Sequence, residues 1–115
     1  MDRDLAALDD MLRHARRICE MRRERSLDEV RADDDLRSAI LYHVIILGEA
    51  ARRVSSGGRS TWPLPWPKVI GLRNIVVHEY DDVDLDVLWR IAEVDLPPLV
   101  VALEGYLELR RLPED

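Results

Sequence analysis

Leu5, Leu8, Leu12, Ala15 and Cys19 recur at steps of three and four. Side chains at those steps share one face of an α-helix, so the spacing predicts an amphipathic helix over about residues 3–24. His14 falls at an exposed position in that reading, and Cys19 reads as a small buried hydrophobe closing the stripe. Ser26-Leu27-Asp28-Glu29 has the form of a capping box and starts a short helical turn. Asp33 or Asp34 can cap the helix that follows. That second long helix carries Leu36, Ile40, His43, Leu47, Ala50 and Val54 on one face, and Leu41, Ile45 and Ile46 on another. A helix apolar on two faces needs two partners. Its own domain supplies one, and a second subunit is expected to supply the other, with Tyr42 and His43 as dimer or core contacts.

Ser55-Ser56-Gly57-Gly58 is expected to end that helix. Trp62-Pro63-Leu64-Pro65-Trp66-Pro67 follows as a stiff connector, because proline fixes its own backbone and restricts the residue before it. Its tryptophans, with Trp89, are expected to pack rather than to stack on bases. Pro67 suits the first turn of a third helix running to about His78. Asp81-Asp82-Val83-Asp84 reads as a loop ending in a cap. A fourth helical region carries Leu85, Leu88, Ala92, Leu99, Leu103 and Tyr106, with Pro97 and Pro98 predicting a break near Asp95 and a new start there. No strand alternation and no repeat interrupts this pattern. The expected fold is all-α: an up-and-down bundle of four to five helices, one domain over residues 1–115, pairing as a homodimer.

Charge changes the picture locally. The net charge is −6, yet residues 1–60 hold twelve arginines and twelve acids, so the acidic surplus lies in the second half. Arg13 to Arg25 contains six arginines and two acids, a patch suited either to phosphate or to a solvated helix face. A single cysteine leaves no internal disulfide and no cysteine metal cluster. The charged N-terminal stretch MDRDLAALDD has no signal-peptide character, and the apolar run from Ala39 to Gly48 is too short to span a bilayer. The expected location is the cytoplasm, with no membrane partner, metal or cofactor.

The candidate chemistry sits in RNIVVHEY, residues 73–80. Arg73 offers a planar, always-charged donor fork suited to phosphate. His78 can give and take protons near neutral pH. On an ideal helix these two do not share a face, so they converge only at a helix end or between two subunits. Together they suffice for RNA cleavage by internal transfer, in which the nucleophile is the substrate's own 2′-OH. The plainer alternative is structural, with both side chains bonding carbonyls or acids such as Asp81 and Asp82. Glu49, between apolar neighbours, needs a partner: Arg73 or His78 in one reading, Arg52 or Arg53 on its own helix in the other.

RNIVVHEY resembles the R-x4-H-x-Y motif of HepT-type toxins, small helical proteins of the HEPN (higher eukaryote and prokaryote nucleotide-binding) superfamily. ILGEAARRV at 46–54, PWPKVIGLRN at 65–74 and DVDLDVLWRIAEVDLPPL at 82–99 resemble the family's corresponding segments. The similarity extends from about Leu5 to Leu107. It implies a dimeric helical bundle with both motifs lining a cleft, and a metal-independent endoribonuclease that is the toxin of a toxin–antitoxin pair. It also implies a small nucleotidyltransferase antitoxin that transfers AMP to the motif tyrosine, here Tyr80. Carried across, Arg73 binds RNA phosphate, His78 is the acid–base group, and Asn74 orients substrate or a neighbour, with Glu49 in support. Arg16, Arg17, Arg22 and Arg23 are expected to form a basic rim offsetting Asp81, Asp82, Asp84 and Asp86. The competing reading is a non-catalytic helical module that docks a nucleotidyltransferase.

Overall fold

A computed structural model describes residues 2–78 and 85–111, with side chains from 3 to 74 and from 85 to 109. Every element among them is helical: α1 (Asp2–Glu24), α2 (Leu27–Ala32), α3 (Asp34–Arg53), α4 (Ser56–Thr61), α5 (Trp66–His78), α6 (Leu85–Arg90), a π-helical turn (Ile91–Asp95) and α7 (Leu96–Arg111). The long elements are α1, α3, α5 and the α6–π–α7 rod, as the spacing predicts, with α2 and α4 as short additions. The expected loop Asp81–Asp84 lies outside the described residues.

The caps follow the sequence. Ser26 Oγ accepts from the Glu29 amide, while Glu29 Oε1 accepts from the Ser26 amide, both at 3.1 Å. Asp33 caps α3 by accepting from the Leu36 amide at 3.1 Å. Two elements differ from expectation. Helix α3 does end before Ser55, as expected, but the Ser55 side chain accepts from the Gly58 amide at 3.0 Å and starts α4, which was not expected. A new α-helix does start beside Asp95, at Leu96, but Pro97 and Pro98 are preceded by a π-helical turn rather than a break. The Leu96 N–H bonds Ile91 O, five residues back, so the helix widens for one turn. Widening draws the preceding carbonyls away from the proline rings and places both prolines in the first turn of α7, where missing donors are harmless.

Cross-links set the directions. Asp10 pairs with Arg53 at 2.5 Å and Asp4 with Ser55, so α1 and α3 run antiparallel. Arg16 meets Glu104 at 3.5 Å and Arg22 meets Glu93 at 2.9 Å, so α7 runs antiparallel to α1 on another side. The core is mainly aliphatic: Leu8, Met11 and Ile18 of α1, Val44 and Leu47 of α3, and Leu103 of α7 are essentially inaccessible. Trp62 and Trp66 are buried too, and the Trp66 indole N–H donates to the carbonyls of Trp62 and Arg59 at 3.1 and 3.2 Å. Cys19 is buried as expected. Within one chain α3 packs against both α1 and α5. On the second face Leu41 is buried, while Ile45 and Ile46 remain partly exposed. His14 is also corrected: it is 8% exposed, not a surface residue. No helix among the described residues is long and apolar enough to cross a membrane.

The α1–α3–α4 junction turns on Asp4, which is buried. Its carboxylate accepts from the Ser55 amide at 2.9 Å and the Ser55 hydroxyl at 2.6 Å. Gly58 makes the room, since a Cβ there would stand 2.6 Å from Asp4 Oδ2. Donation from the Ser55 hydroxyl and amide holds the Asp4 carboxyl below the usual carboxylate range. A depressed folded value means that this contribution is complete above the unfolded pKa and drains as pH falls through the folded one. The urea midpoint of the wild type should therefore decline as pH drops below about 4. Asp4→Asn should start lower at neutral pH and lose less over the same interval, and identical profiles would contradict the clamp.

Candidate active site

Arg73 lies in the middle of α5, against α3. Gly48 is what lets the two helices meet there. A Cβ on Gly48 would stand 2.9 Å from Arg73 Cβ, 3.0 Å from Arg73 N and 3.4 Å from Ile70 O. Any side chain at 48 would push α5 outward. Leu72 and Val69 hold the helix down beside this contact, both buried.

The next residue on α3 is Glu49, and its Oε1 lies 2.6 Å from Arg73 Nε. Of the partners open to Glu49 from the sequence, the structure selects Arg73 rather than Arg52 or Arg53. The contact is an ion pair by distance but not a directed hydrogen bond, and Oε1 is otherwise without a hydrogen-bond partner among the described residues. Arg73 Nη1 reaches Asn74 Oδ1 at 3.4 Å, a long contact. Both ion-pair side chains are over a third exposed, at 37% and 39%. Pairs of that exposure contribute about 0–1 kcal/mol. Glu49 thus does little for stability; its contact at Nε leaves the other guanidinium N–H donors of Arg73 available.

His78 is the last residue of α5, and its side chain lies outside the described residues, as does Tyr80. The structure therefore brings together Arg73, Asn74 and Glu49, and places the histidine at the end of the same helix. The arginines expected as a basic rim do not border Arg73 directly. Arg16, Arg17 and Arg22 are paired with Glu104, Glu20 and Glu93 at 3.5, 3.2 and 2.9 Å, and α1, which carries them, packs across α3 from α5. Among the described residues no group of three or more His, Cys, Asp or Glu is placed to hold a metal ion.

A second cluster went unseen in the sequence. His14 Nδ1 and His43 Nδ1 are 2.9 Å apart across the α1–α3 seam, so one nitrogen carries the proton and the other accepts it. Tyr42 packs edge-on to both rings, with centroids 6.1 and 5.3 Å away. Burial lowers both imidazole pKa values, aided by Arg13 beside His14 and by His14 and Arg17 beside His43. The available signal was position: His14 occupies a place in a stripe Ala7–Met11–His14–Ile18–Met21, whose other members are all buried.

The close approach at Gly48 makes a direct prediction. Gly48→Ala should lower stability by about 1–3 kcal/mol through overpacking, seen as a reduced thermal midpoint. Glu49→Gln should change stability by less than about 1 kcal/mol. An alanine variant as stable as the wild type would show that the helices do not meet as described.

Comparison with known proteins bears on the family. A family model described as ribonuclease HepT-like matches residues 11–105. A Methanocaldococcus jannaschii protein named "Putative RNase" is 33% identical over 104 residues, covering 89% of this chain and 95% of its own. A Thermococcus cleftensis protein named "Probable ribonuclease HepT" is 28% identical over 93 residues, covering 80% and 84%. No solved structure matches. With the all-helical fold and a family match spanning α1 to α7, the chain belongs to the HepT-like ribonuclease family.

Proposed function

We propose that this protein is a metal-independent endoribonuclease, the toxin of a toxin–antitoxin pair, whose site forms in a homodimer from Arg73 of one copy and His78 of the other. The observation that carries the reading is Arg73 itself. It is a cation held by Glu49 at a helix crossing that only glycine permits, five residues before a histidine, in a chain of a ribonuclease family.

The chemistry needs little apparatus. His78 takes the proton of a ribose 2′-OH, and the 2′ oxygen attacks the adjacent phosphorus. The bond to the 5′ oxygen breaks, that oxygen takes a proton, and a cyclic phosphate remains. Arg73 stabilises the charge that grows on the non-bridging oxygens. Glu49 keeps the guanidinium aimed before substrate arrives, and Asn74 steadies it from the next position. Because the nucleophile is already in the RNA, proton transfer and one positioned cation cover every step.

Regulation falls to Tyr80, two residues beyond His78. A nucleotidyltransferase partner that moves AMP from ATP to its phenol oxygen would release pyrophosphate and leave a phosphodiester anion near Arg73. That anion competes with RNA for the guanidinium, and its nucleoside adds bulk to the cleft.

Activity on a single-stranded RNA should fall by about 10²–10⁴-fold in His78→Ala and about 10²–10³-fold in Arg73→Ala, with helix content unchanged by circular dichroism. Cleavage products should carry cyclic phosphate. Wild-type cleavage rates in His78→Ala would leave only a docking module. Intact mass after incubation with the partner and ATP should rise by AMP units in the wild type and stay constant in Tyr80→Phe; a gain in both would move the modification elsewhere.

A further inference from the structure

The seam between α1 and α3 opens into a pocket of about 480 Å³ that the Arg73 site does not use. Its walls include His14 and His43, with Arg13, Arg16 and Arg17 around the mouth. Asp9 and Glu20 share the lining; Arg17 pairs with Glu20 at 3.2 Å, and Arg13 with Asp10 at 2.9 Å. These arginines are 71% and 47% exposed, and ion pairs so exposed are weak enough to be exchanged for phosphate. Beside the pocket stands Tyr42, 56% exposed, its ring propped edge-on against both imidazoles. An aromatic ring braced at its inner edge, with an open face and cations alongside, is the arrangement that binds single-stranded nucleic acid: bases stack on the ring and the backbone follows the charge.

The position of Tyr42 ties this surface to the other one. Tyr42 and Glu49 are seven residues apart on α3, so they lie on one stripe, separated by roughly 10 Å of helix. From the stacking ring, a strand of a few nucleotides along that stripe reaches the Glu49–Arg73 pair. We propose that Tyr42, with Arg13, Arg17 and the His14–His43 pair, forms a subsite that holds single-stranded RNA and leads it along α3 to Arg73. The inference rests on the ribonuclease reading above.

The test is binding of a short, labelled, single-stranded 2′-O-methyl oligoribonucleotide, which cannot be cleaved because its nucleophile is blocked. Anisotropy is read at several salt concentrations. Tyr42→Ala should weaken binding roughly tenfold, while Tyr42→Phe keeps the stack and stays near wild type. The double variant Arg13→Gln with Arg17→Gln should flatten the plot of log affinity against log salt by roughly 0.7 for each phosphate that is no longer neutralised. If these variants bind like wild type while Arg73→Ala does not, the subsite is overturned and the ribonuclease reading stands. If the wild type binds no oligonucleotide, both fall together. If Tyr42→Ala instead turns a dimer into a monomer in sedimentation and leaves RNA affinity unchanged, the stripe is an interface between copies and the inference is wrong.

Discussion

Everything proposed for this protein depends on how closely α5 approaches α3 at Gly48. With a hydrogen at that position, the backbone of Arg73 comes to within 3.0 Å of where a Cβ would stand. That distance puts Nε of Arg73 on the carboxylate of Glu49, the next residue along. An arginine on a helix surface would ordinarily sweep through many rotamers, and ordering it has an entropic cost. Here packing of Leu72 and Val69 fixes the backbone that carries Arg73, and the Glu49 carboxylate orients its guanidinium. The guanidinium is thereby positioned by the fold, and its exposure leaves it open to an anion.

The other long seam works differently. Between α1 and α3 the contacts are polar at both levels: Asp4 with Ser55 near one end, and His14 with His43 further along. Along this seam the buried Asp4 and His14 each have a hydrogen-bond partner, as the desolvation penalty demands. These links pin α3 from the side opposite α5, so α3 is the fixed element on which both candidate surfaces are built. The α6–π–α7 rod completes the bundle, and its widened turn shows two prolines accommodated without loss of helical course.

Much of this was legible in the sequence because it depends on local rules. Helix periods, the capping box at Ser26, the Asp33 cap and the helix start around Pro67 all follow from nearest neighbours along the chain. The family resemblance was legible too, through RNIVVHEY and its flanking segments. What depends on three-dimensional neighbours was not. Ser55 reads as a terminator beside two glycines, and only the buried Asp4 shows why it becomes a cap and why Gly58 must be small. The second apolar face of α3 reads as needing a partner, and only the fold shows that α5 of the same chain packs on α3. His14 reads as surface because one stripe of α1 was enough to explain a helix, whereas α1 packs on two neighbours and buries more than one stripe. Glu49 offered several partners by sequence, and distance chose among them.

The central claim is that Arg73 and His78 act together across two copies of the chain, and one mixing experiment addresses it. Arg73→Ala and His78→Ala proteins, each inactive alone, are unfolded together, refolded together and assayed for RNA cleavage. A heterodimer then contains one composite site with an intact arginine and an intact histidine. Random pairing should restore roughly a quarter of wild-type activity, since half the dimers are mixed and each has one working site of two. A mixture in which heterodimers form but cleavage stays at the level of the parents would contradict the claim.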